Sequence, residues 1–117
     1  MRALRVTANL HVDDVEAAKE FYTDFLGLDD EEFNLGWVAR FTNHETGAHV
    51  QLVTRDADAP EDSVISVHTP DVDAAHEQAK SLGYEIVVPL RTEPWGVRRF
   101  FVRAPDGNLI NIVGHPD

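Results

Sequence analysis

The chain has 117 residues and a mass of 13.1 kDa, with 43% hydrophobic and 26% charged residues, which is one ordinary globular domain rather than a disordered chain. It contains no Cys, which excludes a disulfide framework, a cysteine zinc site and a thiol nucleophile. Its 21 acidic residues against 10 basic ones give a net charge of −11, a balance that repels nucleic acid and anionic lipid and favours cationic ligands.

Residues 4–12 alternate, with Leu4, Val6, Ala8, Leu10 and Val12 on one face and Arg5, Thr7, Asn9 and His11 on the other. This pattern predicts a strand whose apolar face lies against helices. Asp13 or Asp14 can cap the helix that follows, in which Val15, Ala18, Phe21, Tyr22, Phe25 and Leu26 form an apolar stripe ending at Gly27. Strands are expected at 30–34, 36–42 and 48–54, the last two joined through a turn over 43–47. The acidic runs Asp29-Asp30-Glu31-Glu32 and 56–62 read as solvated. A strand at 63–68, a helix starting at Pro70 and Asp71 and stopping at Gly83, and strands at 84–88, 97–103 and 108–113 complete the chain. Pro105-Asp106-Gly107 is a type I turn signal between the last two. Neither a signal peptide nor an apolar run of membrane length is visible, so the expectation is a cytoplasmic protein with no membrane partner.

The chain repeats itself. Asp14-Val15-Glu16-Ala17-Ala18 recurs as Asp71-Val72-Asp73-Ala74-Ala75 at an offset of 57, and residues 45–53 match 105–113 at an offset of 60. The second offset places Gly47 on Gly107, Gln51 on Asn111 and Phe41 on Phe101. Two halves with the same β-α-β-β-β order follow, about 1–58 and 59–117, within one domain of α+β class.

Val12-Asp13-Asp14 leading to Phe21-Tyr22 and Leu26-Gly27 is one end of a further likeness. The other is Trp95-Gly96 with Phe100-Phe101-Val102-Arg103 and Pro105-Asp106-Gly107-Asn108. Together with the repeat, they resemble the vicinal oxygen chelate superfamily of glyoxalase I, bleomycin-resistance proteins and extradiol dioxygenases. The resemblance implies two tandem βαβββ modules curled into a cupped mixed sheet, lining a cavity that is often completed across a homodimer. Metal-using members place His, Glu or Gln on the first and last strand of each module. Counted from the helix-start Asp and the turn Gly, those four positions are Thr7, Gln51, Val64 and Asn111.

None of the four is an imidazole or a carboxylate, so the expectation is no metal and no cofactor. That departure points to the metal-free bleomycin-resistance branch, which sequesters antibiotics or other natural products without chemistry. A glyoxalase- or dioxygenase-like enzyme is the alternative, with an atypical metal site drawing on His11, His49 or His68. A third reading is an interaction module whose cavity has filled. If Gln51 and Asn111 keep the family's inward direction, strand parity sets Phe41 and Phe101 beside them, with Trp37 and Arg99 on the same strands. Phe33 and Trp95 lie in adjoining segments, and His49 shares the side of Gln51. These nine residues form the candidate ligand-binding set, suited to a planar, partly apolar small molecule, cationic if the acidic surface steers it. No Asp or Glu falls on an inward strand position, so no general acid–base pair is visible.

Overall fold

In the computed structural model, which describes residues 1–57 and 59–115, local chemistry starts each helix as expected. Asp14 accepts hydrogen bonds from the backbone N–H groups of Glu16 (2.9 Å) and Ala17 (3.3 Å), and Asp71 accepts one from Ala74 (3.0 Å). Each satisfies donors that a first helical turn leaves unpaired. Gly27 and Gly83 follow the helices at φ of 74° and 81°, a region that costs glycine little.

Two compact units result, Thr7–Asp62 and a second made of Met1–Val6 with the chain from Ser63 onward. The expected boundary at residue 58 lies outside the described residues. Among the described residues no helix is long and apolar enough to cross a membrane.

The first unit takes most of β1 (Arg5–His11), then α1 (Val15–Glu20), β2 (Asp30–Asn34), β3 (Val38–Thr42) and β4 (His49–Val53). Its strands lie in the order β2-β3-β4-β1, with β1 parallel to β4 and the other pairs antiparallel. Val15, Leu28, Ala39, Phe41, Val50 and Leu52 make the core between α1 and the sheet, and Val12, Ala18 and Tyr22 pack against it.

Two expectations for this unit change. The helical stripe does not stay buried, because Phe21–Phe25 continues α1 as a π-helical turn in which Leu26 N–H donates to Phe21 O at 3.1 Å. The wider turn breaks the 3.6-residue period, leaving Tyr22 on the core and Phe25 77% exposed. The apolar side of β1 does lie on the α1 side, since Leu10 pairs with the core residue Leu52, but it is left uncovered there: Ala8 and Leu10 are exposed, whereas on the other face Thr7 is buried and Asn9 half-buried. Asn9 is paired with Gln51 across the β1–β4 ladder, so its side turns toward the amide it bonds.

At the edge of this unit, the Glu31 carboxylate meets Asn34 Nδ2 at 3.1 Å and Lys19 Nζ at 3.2 Å. The Asn34 hydrogen bond, and then the Lys19 side chain, hold its carboxyl below the ordinary value of 4.5. A carboxylate depressed on folding stabilises the folded state above its unfolded pKa, and that contribution fades as pH falls through the folded value. An NMR titration should place the Glu31 midpoint below the usual carboxylate range. Asn34→Ala should return it upward, and an unmoved midpoint would remove Asn34 as the cause.

The second unit holds β5 (Ile65–His68), α2 (Val72–Ser81), β6 (Glu85–Thr92), β7 (Arg98–Arg103) and β8 (Leu109–Gly114). Its order is β5-β8-β7-β6, with β5 parallel to β8, so it repeats the topology of the first. Val67, Val72, Ala75, Ala79, Phe100 and Ile112 form its core. β6 runs four residues beyond the expected 84–88. Pro89 lies in an irregular stretch of the β6–β7 register, which an edge strand tolerates because it needs no donor on its free side.

Candidate functional site

Each unit has a sheet face turned away from its helix, and polar residues gather there. In the first unit the β1–β4 ladder sets Asn9 opposite Gln51, and the β3–β4 ladder sets Arg40 opposite the same residue. Gln51 Nε2 donates to Asn9 Oδ1 at 2.9 Å, while Arg40 Nε and Nη2 donate to Gln51 Oε1 at 3.3 and 3.1 Å. Arg40 Nη1 continues to Glu32 Oε2 at 3.2 Å, and Thr42 Oγ1 donates to the other oxygen of Glu32. The Arg40 guanidinium lies 4.8 Å from the Phe33 ring centroid, within cation–π range. A bulge between Glu31 and Phe33 allows this, because it lets two successive residues, Glu32 and Phe33, reach Arg40 from one strand. Two residues before Gln51 on β4, His49 Nε2 and Thr7 Oγ1 share a hydrogen bond of 3.0 Å, and His49 Nδ1 lies 3.0 Å from Gly47 O. The Gly47 carbonyl can only accept, so His49 Nδ1 donates to it.

In the second unit Asn111 pairs with Ser66 on β5 and with Phe101 on β7. Asn111 Nδ2 donates to Ser66 Oγ at 3.2 Å, and its Oδ1 is buried with no hydrogen-bond partner among the described residues. Arg99, on the same face of β7 as Phe101, is buried with its guanidinium carbon 4.9 Å from the Phe101 centroid and 5.0 Å from that of Trp95. Glu93, also buried, carries an Oε1 that lies 3.5 Å from Arg99 Nε and accepts from Arg91 Nε. The pair ties the β6–β7 turn to β7 and sets the Trp95 ring on Arg99.

These placements sort the candidate set. Phe33, His49, Gln51, Trp95, Arg99, Phe101 and Asn111 lie on or beside the polar faces, and Trp37 is half-buried just before β3, where its carbonyl accepts from Thr54 N–H at 2.9 Å. Phe41 does not belong with them. It pairs with Val50 in the α1-facing core, whereas Phe101 pairs with Asn111. The cause is turn length: six residues, 43–48, join the paired ends of β3 and β4, against five, 104–108, between β7 and β8. One extra residue reverses the face that a given offset assigns, and Arg40 takes the place expected of Phe41.

The first-strand positions shift as well. Val64 precedes β5 and is 47% exposed, and Thr7 is engaged with His49. The residues in register with Gln51 and Asn111 are Asn9 and Ser66, themselves a repeat pair at offset 57, which was the readable signal for them. The expectation of no inward carboxylate on a strand is corrected by Glu32 of β2, joined to Arg40, while Glu93 reaches Arg99 from just beyond β6. The histidines of the alternative metal reading are employed separately. His11 lies 3.8 Å from Asp13 and 4.0 Å from Asp62, His68 stacks on His115 with centroids 5.8 Å apart, and His49 serves Thr7.

The family model of the Glyoxalase/Bleomycin resistance protein/Dioxygenase superfamily matches residues 5–112. The chain belongs to this superfamily. Among solved structures of similar fold is a Legionella pneumophila protein described as an NAD-dependent benzaldehyde dehydrogenase. It is 20% identical, with 96% of this chain and 100% of that one covered at a TM-score of 0.76. A member of the superfamily from Vibrio splendidus is 19% identical over 94% and 97% of the two chains, with a TM-score of 0.69. Methylmalonyl-CoA epimerase from Mycobacterium tuberculosis is 23% identical over 98% and 90%, with a TM-score of 0.73. At such identities the likeness is one of fold. No curated protein matches the chain.

The donor set of this glyoxalase-superfamily member does not suit a divalent metal. In the first unit Asn9 and Gln51 supply neutral amides, in the second Ser66 and Asn111 supply a hydroxyl and an amide, and among the described residues no three of His, Cys, Asp and Glu come together as a ligand group. The Gln51 oxygen, moreover, already accepts from a guanidinium. A second cation there would face Arg40 at short range.

Proposed function

We propose that the chain is a metal-independent small-molecule-binding protein of the bleomycin-resistance type, sequestering a planar, partly apolar ligand in the clefts of a homodimer. The observation that carries this reading is the Arg40 guanidinium on Gln51 Oε1, which puts a fixed cation where a metal would need an anionic or imidazole donor. Flat surfaces for stacking are provided by Phe33 with Arg40 and by Trp95 with Arg99. Asn111 Oδ1 supplies a buried acceptor for a ligand N–H or O–H, and leaving such an atom without a donor costs about 1–3 kcal/mol. Since both arginines are matched by carboxylates, the faces suit a neutral or cationic ligand better than an anion, in keeping with the net charge of −11.

The test joins metal content to ligand response. Protein purified without a metal-affinity step should carry far less than stoichiometric transition metal by mass spectrometry, and it should sediment at about 26 kDa, twice the chain mass of 13.1 kDa. Planar aromatic natural products should quench tryptophan emission saturably, and Trp95→Ala should weaken that binding about tenfold, or ~1.4 kcal/mol. Stoichiometric metal would overturn the reading in favour of an enzyme that uses the histidines. Unchanged affinity in Trp95→Ala would remove that residue from the site.

A further inference from the structure

The two helices differ in one telling way. At the repeat offset of 57, Val15 falls on Val72, Ala18 on Ala75 and Tyr22 on Ala79. Tyr22 packs against the core of its unit, whereas Ala79, buried in the other core, brings a methyl where the first module brings a phenol ring. Space is left in consequence. A cavity of about 170 Å³ opens between α2 and its sheet, walled by Ala75, Ala79, Phe100, Val102 and Ile112, with Leu82 and Tyr84 at its rim. Those two rim residues are 59% and 44% exposed, which leaves an apolar way in from solvent.

Phe100 pairs with Ile112 on this face, while Asn111 and Phe101 pair on the opposite one, so the cavity is separate from the polar site. Its wall is apolar, and the polar groups of its lining lie on Tyr84, Gln78 and Met1, whose α-ammonium donates to Gln78 Oε1 at 2.6 Å. A water molecule needs two to four polar partners to be held, and the wall does not supply them. Enclosed apolar cavities near 150 Å³ accept benzene or xenon, and this one offers a similar apolar wall with an open rim. We propose that this cavity is a second ligand site, taking a monocyclic aromatic or short branched hydrocarbon group in the space that the Tyr22 ring fills in the companion module.

Benzene is the direct probe, titrated into the ¹⁵N-labelled protein. The amides of Ala75, Ala79 and Phe100 should shift saturably, with half-saturation in the millimolar range, while those of Arg40 and Asn111 stay in place. Ala79→Tyr should restore the arrangement of the first module, weaken benzene at least tenfold and raise the melting temperature. Ala79→Leu, a smaller change, should weaken benzene in the same direction and serves if the tyrosine variant does not fold. An absence of saturable shifts, shifts centred on Asn111 and Trp95, or undiminished binding in a folded Ala79→Leu would each overturn the proposal.

Discussion

Phe41→Ala is expected to lower the stability of the fold by about 3–5 kcal/mol, the usual cost of deleting a fully buried phenylalanine ring. Phe41 has no solvent exposure and sits within the cluster of Val15, Leu28, Ala39, Val50 and Leu52 that holds α1 on its sheet. The vacated space cannot be filled by a neighbour without moving the helix, so both lost transfer energy and a residual cavity contribute. Urea unfolding measured by far-UV circular dichroism would read the effect as a shift in midpoint. The same experiment decides the side of the sheet. A ring lining an open cleft would lose less than about 1 kcal/mol on truncation, because ligand-facing atoms have few partners to lose. A small loss would therefore reverse the assignment of Phe41 to the α1-facing core.

Glu93→Gln is expected to cost a similar amount, about 3–5 kcal/mol, by a different route. Its carboxylate is shared by Arg91 and Arg99, and the Arg99 side chain is only 4% exposed. The glutamine keeps the shape and removes the charge, so two guanidinium groups are left near a neutral amide. Burying a charge without its partner is far more costly than burying the pair, while an apolar replacement of both partners is commonly neutral. The double variant Glu93→Gln with Arg99→Met should accordingly recover most of the loss. Because Trp95 lies 5.0 Å from the Arg99 guanidinium, its emission should also shift in the single variant. A loss below about 1 kcal/mol, with emission unchanged, would show that the pair does not tie the β6–β7 turn to β7.

Local chemistry was legible along much of the chain. The repeat, the β-α-β-β-β order of each half, the caps at Asp14 and Asp71 and the stops at Gly27 and Gly83 all depend on neighbours close in sequence. Gln51 and Asn111 were found as a repeat pair and do face away from the helices, and the absence of an imidazole or carboxylate at those two positions is a plain property of the chain.

What sequence could not supply was the sense of each alternation. Period-two patterning states that Arg40 and Phe41 point to opposite faces, but not which face is inward. That choice came from pairing across the sheet, where one additional residue in the 43–48 turn turned Arg40 toward Gln51 and sent Phe41 to the helix. The bulge at Glu32 likewise converted a run that reads as solvated into the partner of Arg40, and the π-helical turn exposed Phe25 in spite of its helical spacing. Element type and order follow from short-range periodicity and capping, which the chain carries at every position. Register follows from turn lengths and single-residue insertions, whose effect on a side chain appears only when a distant strand takes its place beside it.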